Sequence, residues 1–193
     1  MKLSGSYQIN LEKQKVWEAL NDPEILQKTI PGCEEFIKKS ETEFTATATN
    51  KIGPFNASFT GDIELKDLNP PHSYKITGSG NSPVGFANGE ATVSLEDEDN
   101  GTKLTYTVEA NVGGKIAQIG SRLIDMTAKK MADIFFGKFT ELVSNEQGDK
   151  KTIEENENNV EKIQVPNEKK SQIKTITYIS IAILAAALIY LAI

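Results

Sequence analysis

The sequence predicts an α+β fold: a helix-grip arrangement in which a seven-stranded antiparallel sheet wraps around one long C-terminal helix, with a transmembrane helix after it. Three features predict it. Two stretches alternate apolar and polar residues without a break, one long segment carries apolar residues at helical spacing, and the last residues form an uncharged apolar run.

The strands come first. Phe55, Ala57, Phe59, Gly61, Ile63 and Leu65 share one face, and Asn56, Ser58, Thr60, Asp62, Glu64 and Lys66 the other. A period of two is that of a strand with one dry and one wet face. Leu104, Tyr106, Val108, Ala110 and Val112 repeat the pattern after a turn at Asp99, Asn100 and Gly101. Weaker alternation over Leu3–Ile9, Phe36–Ser40, Phe44–Thr49, Tyr74–Gly80 and Glu90–Leu95 brings the number of strands to seven.

Three helices are expected. Asn10 is placed to cap a short one carrying Val16, Trp17 and Leu20. Asp22 followed by Pro23 opens a second through Ile30, which Pro31 and Gly32 stop. The third begins after Gly113 and Gly114. Its apolar residues, from Ile116 and Ile119 through Leu123, Met131 and Phe135 to Leu142, make one broad face that must lie on the sheet.

These elements fill residues 1–144, one domain of ordinary size in a chain of 193 residues. Residues 145–174 are rich in Asn, Glu, Lys and Gln, too polar to offset the entropy of ordering. A flexible tether reaching on the order of 30 Å is expected, with a stiffer helical continuation as the alternative. Residues 175–193 read as a membrane anchor: from Ile176 no charge occurs, and a helix rising ~1.5 Å per residue would match a bilayer core. Lys169, Lys170 and Lys174 precede it, which puts the domain in the cytoplasm, and Tyr178 and Tyr190 sit near the two interfaces. The first residues contain no apolar run long enough for a signal peptide, and a lone Cys33 forms no internal disulfide. A net charge of −6 without a basic face argues against nucleic acid as partner.

Small residues at inward positions, Ala46, Ala48, Ala57, Gly61, Gly78, Gly80, Ala91 and Ala110, leave space between sheet and helix. Phe55, Phe59, Tyr106, Ile119, Leu123 and Phe135 would line it with apolar surface. A helix seated closer would give a solid core instead. Catalytic chemistry is scarce: His72 follows Pro70 and Pro71 in a loop, and Cys33 has no companion for a metal site. Gly113 and Gly114 lack the pattern of a phosphate loop and mark a bend. Arg122 either pairs with Asp125 on the helix surface or offers its guanidinium to a ligand's oxygen.

Several strings carry a resemblance. NDPEILQKTIPGCEE (21–35), KIGPFNASFTG (51–61), DLNPPHSY (67–74), GFANGEA (85–91) and GTKLTYTVEANVGGKIAQIGSRLID (101–125) closely resemble the CoxG family of carbon monoxide dehydrogenase subunits, which are START-like (SRPBCC) proteins. The resemblance covers residues 1–143. It implies a non-enzymatic accessory protein that recruits a molybdenum hydroxylase such as carbon monoxide dehydrogenase to the cytoplasmic membrane. It also implies a START-like cavity, for which a non-covalently held quinone or lipid is the expected ligand. The expected docking turns are Lys51–Phe55 and Pro83–Asn88, with Gly53, Pro54, Gly85 and Phe86 at their tips. The alternatives are a small-molecule enzyme on the same fold and a plain membrane tether without a ligand.

Overall fold

The computed structural model describes residues 1–157, with side chains as far as residue 144. Seven strands form one antiparallel sheet: β1 (Lys2–Ile9), β2 (Cys33–Lys38), β3 (Glu43–Ile52), β4 (Phe55–Asn69), β5 (Ser73–Ser82), β6 (Gly85–Glu98) and β7 (Gly101–Gly114). Their spatial order is β1-β7-β6-β5-β4-β3-β2. Helices α1 (Lys13–Ala19) and α2 (Pro23–Thr29) lie between β1 and β2, and a 3-10 turn (Lys115–Ile119) leads into α3 (Ser121–Glu157). The α+β fold with seven antiparallel strands and a closing helix is therefore as the alternation predicts.

The dry face of the sheet carries Ile9, Phe44, Phe59, Ile63, Leu65, Tyr74, Ile76, Val93, Leu104, Tyr106 and Val108, all buried. Trp17 from α1 stands edge-on to Tyr74, with ring centroids 5.5 Å apart. Phe135, Phe136, Phe139 and Val143 of α3 complete this half of the core. Each fully buried side chain of this size is worth roughly 1.5–3 kcal/mol of transfer free energy, so the sealed half carries most of the hydrophobic stabilisation.

Two local expectations need correction. Asn10 does not cap α1; the cap position is Glu12, which makes no side-chain hydrogen bond. Buried Leu11 lies in a bend ahead of the helix, its amide donating to the Ile9 carbonyl at 2.8 Å and its carbonyl accepting a 2.7 Å hydrogen bond from Thr102 Oγ1. The predicted third helix is split, because Gly120 adopts φ 92° between the 3-10 turn and α3. That left-handed backbone is open to glycine at little cost. Asp22 does cap α2, accepting from the Glu24 and Ile25 amides at 2.8 and 3.4 Å.

The small inward residues have a cause besides spare volume. Gly61 pairs with Gly80, and a Cβ at Gly61 would lie 2.7 Å from the Ser79 carbonyl oxygen. A Cβ at Gly89, paired with Ala110, would lie 2.3 Å from the Glu109 carbonyl oxygen. Neighbouring strands approach too closely there for a side chain, as a strongly curved sheet requires.

Helix α3 continues to Glu157, so the polar segment begins as helix, the stiffer of the two expected forms. No helix among the described residues is long and apolar enough to cross a membrane. The expected anchor lies outside the described residues.

Candidate functional site

At one end of the sheet the β3–β4 turn, the β5–β6 turn, the 3-10 turn and the start of α3 meet. The Ile116 amide donates to the Val84 carbonyl at 3.1 Å, joining the 3-10 turn to the β5–β6 turn. Gly53 has φ 54°, and a Cβ there would touch Leu123 Cδ2 at 3.5 Å and Ile119 Cδ1 at 3.8 Å. The β3–β4 turn thus lies directly against the beginning of α3.

The expected cavity residues divide between this end and the core. Phe59, Tyr106 and Phe135 are buried, and Phe135 belongs to the sealed half, 4.9 Å centroid to centroid from Phe136. Ala57, Ala110 and Ile119 are half-buried and packed against the core, and Phe55 is half-buried at the start of β4. Leu123 is 39% exposed and Met126 61%, so the apolar side chains of the first turns of α3 are far less covered than Phe135, Phe136 and Phe139. Gly53 and Pro54 are exposed in their turn; Gly85 is half-buried; Phe86 is exposed on the wet face, its ring over Gly113.

Arg122 is exposed and forms no ion pair among the described residues, so of its two expected roles the pair with Asp125 is not formed. Asp125 Oδ1 is shielded from solvent without a hydrogen-bond partner. His72 is exposed in the β4–β5 turn. Burial pushes the Cys33 thiol up to about 11, which leaves it a poor nucleophile at neutral pH. Among the described residues no group of His, Cys, Asp or Glu is arranged to hold a metal ion.

One cluster escaped the sequence reading. Tyr7 of β1 donates a 2.6 Å hydrogen bond to Asp133 of α3 and stacks on Phe136, centroids 4.0 Å apart. Tyr106 lies parallel to Tyr7 at 6.1 Å, and Gly5 leaves room for its hydroxyl. Burial raises both phenols above the ordinary tyrosine range, and for Tyr7 the bond to Asp133 adds to the rise. No local pattern links residues so far apart in the chain.

The wet face of the sheet is hollowed into a depression of about 1080 Å³. Lys2, Glu109, Glu90, Thr77, Glu64 and Glu43 cross it as one register row. Lys2 binds Glu109 and Lys39 binds Asp62, each at 2.7 Å, and each lysine holds its partner's carboxyl below the usual range. Of the residues expected to form the cavity, Gly78 and Ala110 border this depression.

The family model for CoxG, described as a carbon monoxide dehydrogenase subunit, matches residues 5–144. The chain belongs to the CoxG family. A conserved protein from Geobacillus kaustophilus shares 34% identity with this CoxG chain at a TM-score of 0.72, the match covering 75% of this chain and 96% of that one. A protein from Rhizobium leguminosarum superposes at 0.58 with 16% identity, over 75% and 95% of the two chains. One from Mycobacterium smegmatis does so at 0.58 with 17%, over 75% and 91%. These two show a shared fold alone. No curated protein matches the chain.

Proposed function

We propose that this CoxG protein is a membrane-associated accessory factor that brings a carbon monoxide dehydrogenase-type molybdenum hydroxylase to the cytoplasmic membrane. It holds an apolar ligand, a quinone or a lipid, between α3 and the sheet. The observation that carries the reading is the asymmetry of α3. Its later turns are sealed by Phe135, Phe136 and Phe139, whereas Ile119, Leu123 and Met126 leave its start partly open above Gly53. An apolar molecule entering there would cover surface that the fold leaves wet, and the hydrophobic effect would favour it. On this reading the ligand takes room beside Ala57 and Ala110, both half-buried, and exposed Arg122 offers donors to a carbonyl or headgroup oxygen.

The protein is not itself an enzyme on this reading. The best acid–base candidate, Tyr7 with Asp133, is a phenol whose proton is held more tightly than usual, and it fastens α3 to the sheet edge. Gly53 lies against Leu123 and Ile119, and Val84 against Ile116, so a partner docking on these turns when the domain is off the membrane would meet the start of α3. The test is organic extraction of the purified protein followed by mass spectrometry, together with affinity capture of molybdenum hydroxylases from cells. A stoichiometric quinone or lipid and a captured hydroxylase are expected. A ligand-free protein, or a hydroxylase whose membrane fraction is unchanged in cells lacking this chain, would overturn the corresponding half.

A further inference from the structure

The loop end reverses the charge of the rest of the molecule. The chain carries a net −6, yet residues 50–61, 79–89 and 110–124 contain no Asp or Glu and hold Lys51, Lys115 and Arg122; half-buried Asp125, beside Met126, is the one carboxylate in residues 121–127. All three cations are exposed and outside any ion pair among the described residues, whereas Lys2, Lys39, Lys66 and Lys75 on the sheet each hold a carboxylate. Phe86, Leu123 and Met126 are three of the four large exposed apolar side chains among the described residues, and Met126 follows Leu123 within one turn of α3. The bond from Ile116 to Val84 and the contacts of Gly53 with Leu123 and Ile119 gather the three segments into one surface.

We propose that this end of the domain seats reversibly on an anionic lipid bilayer. Phe86, Leu123 and Met126 enter the interface, and Lys51, Lys115 and Arg122 meet lipid phosphates. Isolated cations on flexible stems around protruding apolar side chains match a fluid surface of phosphates over hydrocarbon, because such stems lie along apolar surface while their charges stay in water. The opposite charge elsewhere fixes the orientation. Glu43, Glu64, Glu90 and Glu109 on the wet face of the sheet are repelled by an anionic surface, so that face turns away from it. Each cation near such a surface strengthens binding about fivefold, on the order of a hundredfold for three, and salt screens the effect. The inference stands on charge and exposure and needs no ligand inside the domain.

The test uses residues 1–157, since the Geobacillus relative, nearly all of whose chain is covered by the match, is this domain alone. Co-sedimentation is measured with vesicles of phosphatidylcholine, with and without phosphatidylglycerol. Binding should require phosphatidylglycerol and weaken with salt. The combined change Lys51→Gln, Lys115→Gln and Arg122→Gln should lower it on the order of a hundredfold. Phe86→Ser with Met126→Ser should weaken it at every salt concentration. Lys2→Gln with Lys75→Gln should leave it unchanged, and thermal melting confirms that each variant is folded. Equal binding to both vesicles, no binding to either, or loss on the sheet changes rather than the loop changes would overturn the proposal. So would capture of an acidic protein through these cations without vesicle binding.

Discussion

Tyr7 on the first strand and Asp133 on the last helix meet through a 2.6 Å hydrogen bond across 126 positions of chain. The bond ties α3 to the edge of the sheet beside the stacked rings of Tyr106 and Phe136.

Tyr7→Phe keeps the stacking and removes that bond. A loss of about 1 kcal/mol in unfolding free energy is expected, consistent with one partly exposed hydrogen bond. Chemical denaturation of both proteins checks it, and an unchanged stability would mean the bond contributes nothing net.

Alkaline titration reads the same cluster. Both phenols ionise above their unfolded value of about 10, mainly through burial. A raised folded value stabilises the fold fully below pH ~10, and that stability is lost as the pH climbs past it. Tyr7 and Tyr106 should therefore be among the tyrosines that ionise late in phenolate absorbance, at or near unfolding, and Tyr7→Phe should remove one of that group. Early ionisation of every tyrosine would contradict the arrangement.

Truncations should separate the two halves of α3. Phe135→Ala opens a void in the sealed half and should cost about 3–5 kcal/mol. Leu123→Ala, at a side chain already 39% exposed, should cost under about 1 kcal/mol while weakening the affinity for an added quinone or lipid. Comparable costs for the two would show the start of α3 to be as tightly packed as the rest.

Ala57→Phe and Ala110→Phe probe the space itself. Where room exists the larger ring fills it, ligand binding falls and the melting temperature holds; in a solid core the same changes overpack and cost about 1–3 kcal/mol. Melting curves with and without added quinone decide between them.

The full chain should stay with membranes after a carbonate wash, because the uncharged run from Ile176 to Ile193 is long enough to span. Removing residues 176–193 should release a folded domain.

Alternation made the strands legible, since one dry face of a sheet leaves a period of two in Phe55–Lys66 and Lys103–Val112. The Asp22–Pro23 signal was legible too, because a helix cap is a local event. Asn10 misled: the same cap chemistry was overridden by Thr102, which holds the Leu11 carbonyl from 91 positions away. Arg122 and Asp125 had the spacing of an ion pair, but spacing does not fix which way a side chain turns at the first turn of a helix. Small residues such as Gly61 and Ala110 answer to curvature as well as to spare volume: Gly61 and Gly89, the partner of Ala110, sit where strands nearly touch, a distance composition does not record. The depression on the wet face had no signature at all, since its row of carboxylates reads as ordinary solvated strand.

The strand order has a consequence for how the chain can be cut. Strands β2 to β7 form a meander in which each pairs with its chain neighbour, and β1 alone has a distant partner, with Lys2 set against Glu109. Loss of the first nine residues would leave every meander pairing in place. It would also bare the full edge of β7, an open template for another chain, and remove Tyr7 from Asp133. The opening segment, supplied separately as a peptide, should then be taken up in the vacant position and restore the hold on α3.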